Sequence, residues 1–243
     1  MKFRYIKMQI IKLLNKIISY QDKYFLNFIF KKYICNNDRV ERILKLKIDN
    51  SLKELIGERD LPGNEKFQEN AWCQKMLLRY GLAMHYSKGK DVLETCSGLG
   101  WGAYLLDDVA RSVTCIEIDS KSIELSKLLW KTSKTKYINN SVLKIPLRNN
   151  SFDIITAMES IEHFKLEDIK IYLSEMYRVL KPGGLLIGSS AFPNTREEAN
   201  NLCSKNKYHL HICTRKEIEE LLKSRGFKKI KIFQNRLFFV AKK

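Results

Sequence analysis

The sequence predicts a doubly wound α/β sheet, mostly parallel with one antiparallel strand, preceded by a helical N-terminal extension. Three observations predict it. After Gly89, short apolar runs alternate with amphipathic stretches, the pattern of a parallel sheet covered by helices on both faces. The first run leads into Gly98-Leu99-Gly100-Trp101-Gly102, where glycines allow a strand to turn tightly into a helix. The last two runs are separated by so few residues, near Gln234–Asn235, that only a hairpin can join them, which reverses the final strand.

The elements follow in chain order. Phe3, Ile6, Ile10, Leu13, Leu14, Ile17 and Ile18 recur at helical spacing, with Lys7, Lys12 and Lys16 on the other face. A second apolar and aromatic stretch covers Tyr24, Phe25, Phe28, Ile29 and Phe30 and ends in Lys31 and Lys32. Such a basic amphipathic segment, residues 1–34, either lies on an anionic membrane surface or packs on its own domain or a second copy. Asn36, Asn37 and Asp38 break the pattern, a third helical stretch reaches Leu46, and Gly57–Gly63 reads as a loop. These features divide the chain into a basic helical extension, residues 1–56, and a main domain, residues 57–243. Within that domain a helical pattern runs from Glu65 to Tyr86. Strands are expected at Asp91–Glu94, Val113–Ile118, Tyr137–Asn139, Phe152–Ala157, Leu185–Ser189, Lys229–Phe233 and Arg236–Ala241. Helices are expected at Trp101–Ala110, Lys121–Lys131, Leu166–Leu180 and Arg215–Ser224, with Asp119 capping the second of them.

Composition bounds the function. The chain has 243 residues, 44% hydrophobic and 29% charged, enough to bury a core and too apolar for wholesale disorder. No apolar run approaches the ~20 residues that span a bilayer, and the N-terminal segment lacks the features of a secretory signal. Six cysteines without CxxC spacing argue against zinc ribbons and disulfide scaffolds and fit a reducing cytoplasm. The net charge of +17 is concentrated at the ends. Residues 1–50 hold 12 basic and 4 acidic side chains, residues 201–243 hold 12 and 3, and the middle balances. Basic ends suit a membrane surface, nucleic acid or an anionic glycan, and equally suit solubility.

Two acids refine the glycine-rich turn. Glu94 stands four residues before Gly98, where it would repel a pyrophosphate but accept a hydrogen bond from a cationic amino group. Glu117 lies 19 residues after Gly98, at the end of the next strand beside Ile118, where an acid can hold ribose hydroxyls. A ligand with an ammonium at one end and a ribose further on fits S-adenosylmethionine. From here the chain resembles the class I S-adenosylmethionine-dependent methyltransferases over residues 90–243. The stretches VLETCSGLG, VTCIEID, IPLRNNSFDII, MESIEHF and YRVLKPGGLLIGSS carry the likeness by their order and spacing. The resemblance implies a Rossmann-like sheet, Glu94 on the methionine amino group and Glu117 on the ribose diol. It also implies that Cys96, Gly98 and Gly100 pass the methionine and ribose, that Ile118 belongs to the cofactor site, and that Ser141 and Val142 flank the adenine. Three residues depart from the family: Glu94 is more often Asp, Cys96 Gly and Ser141 Asp. Cys96 tolerates close approach only at negative φ.

After the fourth strand come Glu159, Glu162 and His163, at i, i+3 and i+4, which on one helical turn share a face. Two carboxylates and an imidazole together call for a divalent metal or for Arg or Lys partners. The pattern resembles metal-dependent O-methyltransferases that act on catechols in ubiquinone synthesis or on the terminal ribose of small RNAs. That resemblance implies Glu159, Glu162, His163 and His209 as ligands of Mg²⁺ or Mn²⁺, and Glu162 and His163 as the catalytic pair. A metal gripping adjacent oxygens acidifies a hydroxyl, and an imidazole can take its proton. Gly57-Glu58-Arg59-x-x-Pro62, Arg79-Tyr80-x-x-Ala83 and Ser189-x-x-x-Pro193-Asn194 resemble methyltransferases found with polysaccharide-synthesis glycosyltransferases. This likeness implies that Arg59 and Tyr80 close the cofactor pocket and that the acceptor is a small molecule or glycan hydroxyl. The enzyme would then be cytoplasmic, held peripherally at the inner membrane surface by residues 1–34, with self-association open. RNA is the second acceptor class and a noncatalytic adaptor the third reading. The sequence carries no recognisable RNA-binding module, and charge alone is nonspecific.

Overall fold

The computed structural model describes residues 27–45, 71–233 and 238–243. Seven strands form one sheet in the order β3-β2-β1-β4-β5-β7-β6. They are β1 (Asp91–Thr95), β2 (Ser112–Glu117), β3 (Thr135–Asn139), β4 (Phe152–Met158), β5 (Leu180–Ser189), β6 (Lys228–Ile232) and β7 (Phe239–Lys242). β1 to β5 are parallel, and β7 runs antiparallel to both β5 and β6. The mostly parallel sheet with a reversed final strand is therefore as expected. The expected turn at Gln234–Asn235 lies outside the described residues.

Successive residues of the inner strands feed two different cores, because side chains alternate across a pleated sheet. Val92, Cys115, Ile154, Ile187 and Val240 join one cluster. Their neighbours Leu93, Ile116, Ile155, Leu186 and Phe239 join the other. Both faces being covered, these strands read as continuous apolar runs. The first face is covered by helices α1 (Asp38–Lys45), α2 (Ala71–Ser87), α3 (Trp101–Asp107) and α4 (Ser120–Trp130). The second is covered by α5 (Leu166–Val179) and α7 (Arg215–Ser224). Asp119 caps α4 as expected, accepting from the Lys121 and Ser122 amides.

Some boundaries differ from expectation. β5 begins at Leu180 rather than Leu185, since Leu180 already pairs with Phe152; residues 181–184 then bulge opposite Asp153 before pairing resumes at Leu185. The ladder between these strands shifts register between Phe152 and Ile154. α3 ends at Asp107, short of Ala110. Helix α6 (Arg196–Ser204) was not expected. It is polar and buries only Ala199, so it shows no apolar stripe, but its capping box between Thr195 and Glu198 is a local start signal.

Of the basic N-terminal segment, residues 27–34 are described and 1–26 are not. A wide helical turn, Phe30–Ile34, buries Phe30, Tyr33 and Ile34 with Ile29 against α2. Gly81 of α2 makes room: a Cβ there would lie 3.0 Å from Ile29 Cγ2 and from Ile34 Cδ1. Arg39 of α1 donates to the Tyr104 carbonyl (2.6 Å) and to Asp107 (2.9 Å), tying α1 to α3. Among the described residues, no helix is long and apolar enough to cross a membrane. At the far border of the sheet, β6 exposes Lys228, Lys229 and Lys231. Its ladder is broken between Lys228 and Lys231, with Lys229 at φ +46°.

Candidate active site

Strand order reverses between β1 and β4, and the carboxyl ends of strands at such a switch point form a crevice. Glu94 and Thr95 end β1, Glu117 ends β2, and Met158 ends β4. Two acid-bearing sites sit at these ends.

The first gathers around the glycine turn. Glu94 is 1% exposed. The Tyr80 hydroxyl of α2 donates to its Oε1 at 2.5 Å, while Oε2 has no hydrogen-bond partner. Burial pushes the Glu94 carboxyl up to about 8, the Tyr80 hydrogen bond opposing. Burial and the facing carboxylate hold the Tyr80 phenol well above its ordinary range. Glu117 accepts the Gly98 amide at 2.9 Å and the Asp119 amide at 3.1 Å, pinning the turn to β2. Two glycines are required here. Gly100 stands at φ +73°, and a Cβ on Gly102 would come within 2.1 Å of the Tyr80 ring, which lies across the turn. Cys96 does not meet the condition stated for close approach: its φ is +52°. The turn leaving β1 needs a left-handed residue, and a side chain there costs about 1–2 kcal/mol. Beside the turn opens a small cleft lined by Cys96, Glu117, Ile118, Ser141 and Val142, all expected, and by Asn140 and Phe164, which sequence reasoning missed. Ile118 is 70% exposed there, an apolar face without a cover.

The second site follows β4. The expected helical turn through Glu159, Glu162 and His163 is corrected: only Ile161–His163 is helical, and Glu159 stands at φ +45°. Helical spacing therefore does not bring the three together. Glu159 turns instead to Arg79 of α2 (2.7 Å) and to the Ser189 hydroxyl (2.8 Å). Glu162, His163 and His209 do converge, one ligand atom from each lying within 4.8 Å of the others. Glu162 is buried with Oε2 lacking a hydrogen-bond partner. Burial first, then the Glu159 charge, push its carboxyl up. The loop carrying His209 is stitched to this turn through the Leu210 and His211 amides, both donating to the Glu162 carbonyl. His163 Nδ1 sits 3.1 Å from the Tyr208 carbonyl. A carbonyl only accepts, so Nδ1 carries the proton and the neutral ring has its lone pair on Nε2. His211 stands apart, paired with Glu217 at 3.6 Å. It forms a second group with Cys213 and Glu217, but Arg196 already holds that carboxylate.

Two more residues join the sites and were missed. Arg79, 4% exposed, was read only as part of a motif. Tyr172 of α5 is fully buried, its hydroxyl 2.5 Å from Thr95 Oγ1 and 3.2 Å from Ser160 Oγ. Thr95 already donates to the Thr156 carbonyl, so Tyr172 donates to Thr95. A tyrosine at helical spacing looks like core; only the fold shows its hydroxyl bridging β1 to the turn after β4. Arg59 lies outside the described residues.

Residues 93–188 match the family model described as a methyltransferase domain. A Mycolicibacterium smegmatis protein named "probable S-adenosylmethionine-dependent methyltransferase" is 32% identical over 182 residues, 74% of this chain and 68% of its own length. A Mycobacterium tuberculosis protein of the same description is 28% identical over 173 residues. The match covers 71% of this chain but only 61% of that relative, less than two thirds of its length. An Archaeoglobus fulgidus protein, solved as a SAM dependent methyltransferase, shares the fold with a TM-score of 0.59. It is 16% identical, over 74% of this chain and 97% of that one.

Proposed function

The chain belongs to the S-adenosylmethionine-dependent methyltransferases, and from that membership we propose that it methylates a hydroxyl oxygen of a small molecule or glycan. The observation that carries the reading is Glu94. A buried carboxyl with one oxygen unsatisfied, at the end of β1 and beside a glycine turn, is suited to the ammonium of a methionine moiety. Glu117, at the carboxyl end of β2 and lining the cleft, fits the ribose hydroxyls, which donate to carboxylate oxygens. Ile118 and Val142 fit the adenine faces, and the Ser141 hydroxyl its edge.

When bound, the cofactor supplies a methyl group on a sulfonium, electrophilic without further activation. The chain must orient the acceptor and remove its proton. His163 Nε2, kept as the basic nitrogen by the Tyr208 carbonyl, takes that proton. Tyr208 and Leu210, 45% and 53% exposed, flank the site and suit a ring-shaped acceptor such as a sugar. Alternatively, Glu162, His163 and His209 are the residues that would hold Mg²⁺ or Mn²⁺, in which case His163 Nε2 is spent on the ion and is not the base. Glu159, the fourth expected ligand, is engaged by Arg79 and Ser189, so the donor set fits a metal only in part. An ion there would acidify the acceptor hydroxyl. A sugar acceptor built on a lipid would place the enzyme at the inner membrane surface, where residues 1–28 with the exposed Lys31 and Lys32 would meet anionic lipid, Ile29, Phe30, Tyr33 and Ile34 being packed on α2.

The deciding experiment is a calorimetric titration with S-adenosylhomocysteine, followed by labelled-methyl transfer to nuclease-treated extract fractions. Binding followed by transfer into a nuclease-resistant glycan or small-molecule fraction is expected. Binding without transfer to any fraction would leave an adaptor, and label lost with nuclease would move the acceptor to RNA. Liposome flotation equal with and without residues 1–34 would remove the membrane contact.

A further inference from the structure

Helix α2 reaches both halves of the site from two adjacent residues. Tyr80 holds Glu94 at the end of β1, and Arg79 holds Glu159 just after β4. Consecutive side chains on a helix diverge by about 100°, and hydrogen-bonded strands lie about 4.8 Å apart, so one turn of helix can serve both strand ends. The Tyr80–Glu94 contact is buried, and Arg79 is buried too, so water competes with the second contact only at Glu159, whose side chain is 19% exposed.

Glu159 is the strained member. A non-glycine residue at φ +45° persists only where its surroundings over-determine it. Four contacts do so: its amide donates to the Ser189 carbonyl and lies 3.1 Å from the Ser189 hydroxyl, that hydroxyl donates to its Oε1, and Arg79 pairs with the same oxygen. Three residues later the chain presents Glu162 and His163. We propose that Arg79 is a positioning residue that holds the turn of residues 159–163 in its strained form. Through α2 it makes that turn respond when a ligand engages Glu94 beside Tyr80. This rests on the cofactor reading above. Arg79 touches neither cofactor nor acceptor in this role; it passes a constraint between two acids by being rigidly next to the residue that grips the other one.

The test is amide hydrogen exchange with and without saturating S-adenosylhomocysteine. In the unaltered chain the ligand should slow exchange in peptides covering residues 76–84 and also in those covering 158–164. Arg79→Met should bind the ligand within about threefold of the unaltered chain, yet lose the added protection over 158–164 by about tenfold. Arg79→Lys, which keeps a cation against Glu159, should restore a large part of it. A merely structural residue would shift exchange equally with and without ligand. If Arg79→Met does not fold, Glu159→Gln breaks the same pair from the other side and should uncouple equally. Ligand binding with protection confined to the glycine turn and α2 overturns the coupling alone, as does protection over 158–164 that survives Arg79→Met. Failure of the unaltered chain to bind the ligand overturns the cofactor reading and the coupling with it.

Discussion

Glu94 and Glu162 are both buried carboxyls with one oxygen lacking a hydrogen-bond partner, but the backbone beneath them differs. Glu94 stands on a central strand paired on both sides, to Cys115 of β2 and Thr156 of β4. Glu162 stands on a three-residue turn held by a strained neighbour and by a loop more than 40 residues later. One site is built into the sheet and can be formed before any ligand arrives. The other is assembled from side chains whose arrangement depends on Arg79, Ser189 and the 206–211 loop. The difference teaches where variation is tolerated: a scaffold can fix the cofactor half and leave the acceptor half to loops.

The largest effect should come from breaking the strand-borne half. At pH 8.5, Glu94→Gln should weaken S-adenosylhomocysteine binding about 100-fold, the loss of a buried charge-assisted contact of roughly 3 kcal/mol, measured by calorimetry. His163→Ala and His209→Ala should stay within about threefold of the unaltered chain, since they belong to the other half. Equal losses at both places would erase the comparison.

The next effect is pH dependence. With the Glu94 carboxyl at about 8, the ligand-free site is protonated at neutral pH and must lose that proton to meet an ammonium. Affinity should therefore fall about tenfold per unit as pH drops from 7 to 6 and level off above 8, with Glu94→Gln flat throughout. Stability runs the same titration in reverse. The folded carboxyl is raised above its unfolded value of 4.5, so the folded state holds more protons between the two values. Stability is thus lost as pH rises from about 5 to about 8. Glu94→Gln should raise the unfolding free energy from urea titration at pH 8.5 by about 2 kcal/mol or more and leave it nearly unchanged at pH 5.

The acceptor half is sharpened by metal titration. If the three converging donors hold an ion, His163→Ala and His209→Ala should each weaken Mn²⁺ binding about tenfold or more, read by electron paramagnetic resonance, without changing cofactor affinity. Full activity on the true acceptor in the presence of EDTA would reduce the cluster to a proton-handling site. The smallest effect is at Cys96. Cys96→Gly relieves left-handed strain of about 1–2 kcal/mol and adds about 0.5–1 kcal/mol of unfolded-chain entropy, a net gain of at most about 1.5 kcal/mol in urea unfolding.

How much was legible in the sequence divides along the same line. The strands announce themselves because residues such as Val92 and Leu93 face opposite cores and must both be apolar. Glu94 and Glu117 stood out as candidates because each closes such a run, Glu94 just ahead of the glycines and Glu117 19 residues after Gly98. Glu159 was misread because its spacing from Glu162 and His163 mimics a helix, whereas a left-handed residue breaks the periodicity without leaving a mark in the composition. Arg79 and Tyr172 were illegible as site residues for a related reason. Each works through a partner about 80 residues away in sequence, and no local pattern encodes that distance. Helix α6 escaped because periodicity finds helices by what they bury, and this one buries a single alanine.

The lysine-bearing border of the sheet has its own consequence. A neighbouring polypeptide seeking to extend the ladder beyond β6 would meet three ammonium groups and a kink that misaligns its amides. Open sheets invite that kind of growth, so this margin works as a fence against fibril-like stacking at high concentration.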